Sequence, residues 1–262
     1  MDAKKIIVYL SIIFNGDFHK IYEFIKNKEI IKASNQEVEE TINSLKCKYI
    51  TILDEDYPEF LKVIAFPPLV IFYYGDFSIL RDYDKNVALI GSRKNSSYGG
   101  DMAFSIARDL AKNGYVIVSG LAKGIDSIAH KGAIEGGGKT VAILGSGIDY
   151  CYPSENKDLY DEIKSSHLLI SEYPNKSMPT PEQFPWRNRI IAGLSNTIVV
   201  AEAGIHSGTY ITVADGLMNG RNICCVPHMA NLNSGCNKLI KEGAALVENA
   251  KDVIDEMTIY KK

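Results

Sequence analysis

The chain has little that would hold it in a membrane, cross-link it, or coat it with positive charge. No apolar run approaches the roughly 20 residues needed to span a bilayer. Its first residues, MDAKKIIVYLSIIF, join a charged start to an apolar stretch. Charged and aromatic residues follow where a small-residue cleavage site would stand, so the segment reads as a helix and not as a signal peptide. A cytoplasmic protein with no membrane partner is expected. The five cysteines, Cys47, Cys151, Cys224, Cys225 and Cys236, include no CxxC pair, which speaks against a zinc site or disulfides and fits buried thiols in a reducing compartment. His19, His167, His206 and His228 make no metal-spaced cluster, so no metal is expected. A net charge of -3 argues against a surface that is basic throughout, while a local cationic groove stays compatible with it.

Two glycine fingerprints are incomplete as well. Gly136-Gly137-Gly138-Lys139-Thr140 resembles the end of a phosphate-binding P-loop, but the earlier glycine would fall at Ala133, and Lys139-Thr140 leads into a strand. Gly145-Ser146-Gly147 could open a dinucleotide site, but Tyr150 occupies the third glycine position and Cys151-Tyr152-Pro153 delays the next helix. ATP hydrolysis and NAD binding are therefore not expected, and no cofactor is.

What is present is an α/β pattern. Residues 1–48 show helical spacing (Ile6, Ile7, Leu10, Ile13, then Ile21, Phe24, Ile25) broken at Asn15-Gly16-Asp17, which predicts a small helical appendage. Residues 49–85 carry proline and glycine turns around LVIFYY and read as a connector with one strand that packs on the main domain. From residue 86 to 262, apolar runs alternate with stretches of helical length. The runs are VALI, VIVS, VAIL, LLIS, TIVVA and ICCV. Apolar on both faces, they fit central strands of a doubly wound, mostly parallel sheet, and a final helix is expected from Ala250 to Tyr260.

In such a sheet ligands bind beyond the carboxyl ends of the strands. Gly91-Ser92-Arg93 follows the first run, Gly120-Leu121-Ala122-Lys123-Gly124 follows Ser119, and Gly145-Ser146-Gly147 follows the third run. Backbone amides at these turns, with Arg93 and Lys123, predict a phosphate-binding rim. FPWRNRIIAGLSNTIVVAEAGIHSGT adds Arg187, Asn188 and Arg189 before a helix, and Ser207, Gly208 and Thr209 at the mouth of another. Phe184 and Trp186 offer either stacking faces for bases or core packing. Glu202 is read as a carboxylate that orients the arginines, Asp126 as a helix cap, and His130 as a structural hydrogen bonder.

Taken in order, GSR, SYGG, SGLAKGIDSIAH, AILGSGIDYCYPSEN, SEYP, FPWRNRIIAGLS, EAGIHSGTYIT, GRNICCVP and GCNKLIKEGA resemble the DNA-processing protein A family, DprA or Smf, over roughly Tyr57 to Val247. The resemblance implies an extended Rossmann-like domain that binds single-stranded DNA, dimerises and loads the RecA recombinase during natural transformation. A non-enzymatic protein that competes with single-strand binding protein is expected. The resemblance places the DNA pocket on Ser92, Arg93, Ser119, Gly120, Lys123 and Gly124, with Arg187, Asn188 and Arg189 beside it. The helical appendage would correspond to the sterile-alpha-motif-like region of some members. His228 stands where members commonly have glycine, and no C-terminal winged-helix domain is expected. An alternative enzymatic reading is a Rossmann-like phosphoribohydrolase of the lysine-decarboxylase-like group, but the helix beginning TYITVAD lacks its glutamate and no Pro-Gly-Gly precedes Gly208.

Overall fold

The computed structural model describes residues 2–230, 232 and 234–259. Its first helices, α1 (Ala3–Ile13), α2 (Phe18–Lys26) and α3 (Asn35–Asn43), each begin on a side chain that accepts an otherwise unpaired amide. Asp2 accepts from Lys4, Asp17 from Lys20, and Ser34 from Glu37, whose carboxylate takes the Ser34 amide in return. Asn15 and Gly16, at φ 51 and 73, turn the chain between α1 and α2.

The chain continues through β1 (Lys48–Thr51), α4 (Glu59–Lys62), β2 (Val70–Gly75), β3 (Asn86–Gly91), α5 (Ser97–Lys112), β4 (Val116–Ser119) and α6 (Ile125–Glu135). Next come β5 (Lys139–Leu144), α7 (Lys157–Ser166), β6 (Leu168–Ser171), α8 (Gln183–Gly193), β7 (Thr197–Glu202) and α9 (Thr209–Met218). β8 (Asn222–Cys225), α10 (Gly235–Lys241), β9 (Ala245–Leu246) and α11 (Ala250–Ile259) complete it. Tyr260, where the sequence places the end of the last helix, lies outside the described residues.

The strands form one sheet in the order β1-β2-β6-β5-β4-β3-β7-β8-β9. All pairs from β6 to β9 are parallel, and all six apolar runs are among these strands. The fold is thus the anticipated α/β, Rossmann-like, mostly parallel sheet with a helical N-terminal unit. The connector differs from expectation. It supplies two strands, β1 and β2, which extend the sheet antiparallel beyond β6. Four residues with Lys48 and Tyr49 exposed and Ile50 and Thr51 buried give β1 no alternation to read.

Side-chain alternation divides each central strand between two cores. Val87 and Leu89 face α5, α6 and α11, while Ala88 and Ile90 face the side covered by α4, α8, α9 and α10. The same period puts Ala142 and Leu144 under α1, α3 and α7. In α5 the buried set Ala103, Ile106, Ala107, Leu110, Ala111 follows one helical stripe. No described helix is long and apolar enough to cross a membrane. β4, β5 and β6 extend the sheet on one side of β3, and β7, β8 and β9 on the other, so the chain reverses its winding at β3.

His130 in α6 is fully buried, with Nδ1 2.6 Å from Thr140 Oγ1. Thr140 donates its own proton to Ile117 O at 2.7 Å, so its oxygen accepts from the imidazole, the structural hydrogen bond that the sequence suggests. Burial pushes His130 down to about 3, and the neighbouring His167 and Arg187 add to the effect. An unfolded chain binds that proton near pH 6.5. Stability from this group is therefore full above about 6.5 and is lost progressively as pH falls toward 3. Between pH 6.5 and 5 the unfolding free energy measured in urea is expected to drop by about 2 kcal/mol on this account alone. A folded His130→Gln variant should lose that part of the pH slope; an unchanged slope would show that His130 is not its source.

Candidate functional site

A cavity of about 70 Å³ opens beyond the carboxyl ends of β4 and β5, with Arg93, Gly120, Lys123, Tyr152, Phe184 and Arg187 in its wall. Its floor is made by Arg187, a guanidinium only 3% exposed. Arg187 reaches from α8 and donates Nη1–H to Gly120 O at 2.8 Å and to Ile143 O, which ties together the ends of two adjacent strands. Asn188 Oδ1 accepts from its Nε at 3.3 Å. Burial pushes Arg187 down to about 10, aided by Arg93 and opposed by Asp126, so it stays charged at neutral pH.

Only glycine fits over this guanidinium: a Cβ on Gly120 would lie 2.4 Å from Arg187 Nη2. Gly124, at φ 76, lets the next turn fold onto Ser92, whose carbonyl accepts from Ile125 N at 3.1 Å. Asp126 does not cap α6, whose N-cap is Gly124. Its buried carboxylate turns back and accepts from Gly120 N at 3.2 Å and Ala122 N at 3.4 Å. Burial raises its pKa, while Arg187 and those two amides hold it down. The turn carrying Lys123 is thus pinned from below by one buried anion and one buried cation.

The mouth of the cavity is different in kind. Arg93 is exposed and stands 5.5 Å above the Phe184 ring, which in turn lies 5.3 Å from the ring of Tyr152. Lys123 is exposed and ion-paired with Glu155, which lowers the Glu155 pKa. Such an exposed pair is worth little and gives way to a stronger anion.

Several expectations need correction. Arg187 and Arg189 do not form a common bank facing a ligand. Residues two apart on a helix point about 200° apart, and Arg189 turns away from the cavity. There it bonds both Glu172 oxygens (2.7 and 2.8 Å), Phe66 O and Trp186 O. Trp186 is packed among Phe18, His19 and Phe66, with Nε1 donating to Glu172, so of the two aromatic residues only Phe184 faces the cavity. Glu202 orients no arginine; it sits behind the start of α5 and accepts from Ser96 N and Oγ, where unpaired amides favour a carboxylate. Ser119 is fully buried and donates to Leu89 O at 2.7 Å. Ser207, Gly208 and Thr209 lie at the β7–α9 turn and do not line the cavity. Gly91 and Ser92 shape the β3 turn beside Glu202 and Gly124. Sequence reasoning assigns no site role to Tyr152, Glu155 or Glu172, although the first two fall within CYPSEN and the third within SEYP.

Comparison with known proteins fits this geometry. The model of the DNA recombination-mediator protein A family matches residues 48–258. The chain belongs to that family. DNA processing protein DprA of Streptococcus pneumoniae is 44% identical over 208 residues, 79% of this chain and 73% of its own length. The X-ray structure of DNA processing protein A from the same organism superposes with a TM-score of 0.80 at 34% identity, covering 95% of this chain and 97% of that one. DNA processing protein A from Helicobacter pylori, solved for its single-stranded DNA binding mode, gives 0.73 at 30% identity over 82% of this chain and 97% of that one. The family match begins at Lys48, the first residue of β1, so it takes in the whole sheet.

His228 is accommodated without strain. Its backbone avoids the left-handed region, and the Asn237 side chain bonds both its N–H (2.9 Å) and its C=O (2.8 Å). Its ring bonds Ala201 O at 2.9 Å and meets Tyr98 edge-on.

The buried and exposed cations should separate in a stability measurement. Arg187→Met leaves Gly120 O, Ile143 O and Asp126 without their partner, and is expected to cost about 3 kcal/mol in urea unfolding. Lys123→Ala should stay within about 0.5 kcal/mol of the parent. A neutral Arg187→Met would contradict the strand-clamping role.

Proposed function

We propose that the strand-end cavity binds single-stranded DNA through its phosphates, and that the protein acts by holding DNA rather than by catalysis. The observation that carries this reading is the convergence of Arg93, Lys123 and Arg187 with the rings of Phe184 and Tyr152 on one cavity. Exposed Arg93 and Lys123 are placed to contact phosphate directly. Arg187 contributes positive potential from beneath. Phe184 and Tyr152 offer faces to unstacked bases, each stack being worth about 1–3 kcal/mol. A duplex keeps its bases paired and cannot use those faces. The single-stranded DNA binding mode of the Helicobacter pylori relative supports the same choice of ligand.

The wider role that fits is recombination in natural transformation: a cytoplasmic protein that covers incoming strands and passes them to RecA, with single-strand binding protein as a competitor. A homodimer is part of the proposal. Leu217 and Met218 at the end of α9, Met229 after β8 and Leu246 on the edge strand β9 are 50–73% exposed and offer apolar side chains to a second copy.

Binding followed by fluorescence anisotropy should favour single-stranded over duplex DNA and weaken steeply with salt. Arg93→Ala and Lys123→Ala should each reduce the salt slope by about 0.7, the value for one phosphate contact on a single strand. Glu155→Gln, by releasing Lys123, should tighten binding about threefold at low salt. Equal affinity for duplex DNA, or slopes unchanged by both alanine variants, would remove the assignment. Release of free base from nucleoside monophosphates would instead favour the phosphoribohydrolase reading.

A further inference from the structure

A second concavity shares no lining residue with the strand-end cavity. A groove of about 950 Å³ runs along β1, between the start of α1, the turn at Asp54–Glu59 and the segment from Phe77 to Tyr83. β1 is an edge strand that pairs only with β2, and β2 and β6 separate it from β5. Two features of the groove point to the same kind of occupant.

The first is aromatic. Tyr73 and Phe77 lie 4.8 Å apart and Tyr49 is 38% exposed on β1 itself, while Phe60 and Tyr83 lie 4.3 Å apart and Tyr83 already carries the guanidinium of Arg221 5.0 Å from its ring. The second is charge. Asp2, Asp54, Glu55, Asp56 and Glu59 line the groove against Lys4, Lys5 and Arg81. Lys4 is engaged by Asp54 at 2.6 Å, and Lys5 by Glu39 at 2.5 Å. Glu59 is taken by Lys62 at 2.7 Å. Glu55 and Asp56, both exposed, hold no ion pair among the described residues. The groove floor senses this field: the Tyr73 hydroxyl is raised above its usual range, first by burial and then by Asp54, Asp56 and Asp76.

Aromatic faces beside free carboxylates suit guanidinium groups, which stack on rings and bond carboxylates in a two-pronged fashion. The volume is at the upper end for a small-molecule site and accommodates several residues of chain. Nucleic acid is disfavoured by the carboxylates. We propose that this groove docks an extended, arginine-bearing segment of a partner protein, leaving the strand-end cavity open to its own ligand. The inference is independent of what that cavity binds.

The probe is an end-blocked octapeptide alternating arginine and alanine, with its glutamate counterpart and spermine as controls, titrated by NMR against the whole chain. The arginine peptide should shift resonances of Tyr49, Tyr73 and Phe77 and leave Arg93 and Lys123 unmoved, and the glutamate peptide should do nothing. The double variant Glu55→Lys/Asp56→Lys alters only exposed positions; it should bind the arginine peptide about tenfold more weakly. Glu55→Lys alone should give an intermediate loss. Its affinity for the strand-end ligand should not change. Arginine-peptide affinity unaffected by either variant, shifts located elsewhere, or spermine binding as tightly as the peptide would overturn the proposal.

Discussion

Everything at the strand ends depends on one buried cation. Taking a guanidinium out of water costs several kcal/mol unless its N–H groups find acceptors. Arg187 finds them in the carbonyls of Gly120 and Ile143, where β4 and β5 end. The arrangement dictates its neighbours. Gly120 has room for no side chain, and Asp126 brings a compensating charge while holding the Gly120 and Ala122 amides. With the β4 turn fixed, Lys123 is carried to the mouth at little further conformational expense, and the Ile125 N–H bond to Ser92 O ties the turn that carries Arg93 to the same α6 start, which is what preorganisation of an anion site requires. The helix that delivers Arg187 is itself anchored through Arg189 and Trp186 to Glu172, with α2 packed on Trp186. The second N-terminal helix, α2, therefore touches the same element that floors the cavity.

Charge is distributed by place, and the near-neutral total conceals it. The cavity gathers three cations. The groove along β1 sets five carboxylates against three cations, and Glu55 and Asp56 hold no ion pair among the described residues. The two surfaces share no lining residue. At the cavity mouth, Glu155 sets a local threshold: any anion that takes Lys123 must do better than an exposed carboxylate. Phosphate, with more charge and more acceptor oxygens, meets that condition.

Much of this was legible in the sequence because it rests on local signals. Apolar runs of four to six residues predicted the parallel strands, and glycine turns after VALI and VIVS located Arg93 and Lys123 beside a cavity. What escaped depends on direction and on distant contacts. Arg187 and Arg189 look equivalent as text, yet helix geometry sends them to opposite sides and burial makes both structural first. Arginine is seldom fully buried, so neither was read as an internal clamp. Phe184 and Trp186 had equal claims from spacing, and only the packing of α2 and Phe66 on Trp186 decides between them. Tyr152 and Glu155 reach the site from the turn after β5, and nothing local marks them as its wall. β1 escapes because two exposed residues followed by two buried ones carry no period.

The most direct test is a crystal structure of the protein with a short oligothymidylate. Phosphate oxygens should lie about 3 Å from Arg93 and Lys123, with Lys123 released from Glu155, a base against Phe184 or Tyr152, and Arg187 still bonded to Gly120 and Ile143. A strand whose phosphates sit on Arg187 or Arg189 themselves, after those side chains leave the core, or a strand bound away from the β4 and β5 ends, would contradict the buried-clamp origin of the site.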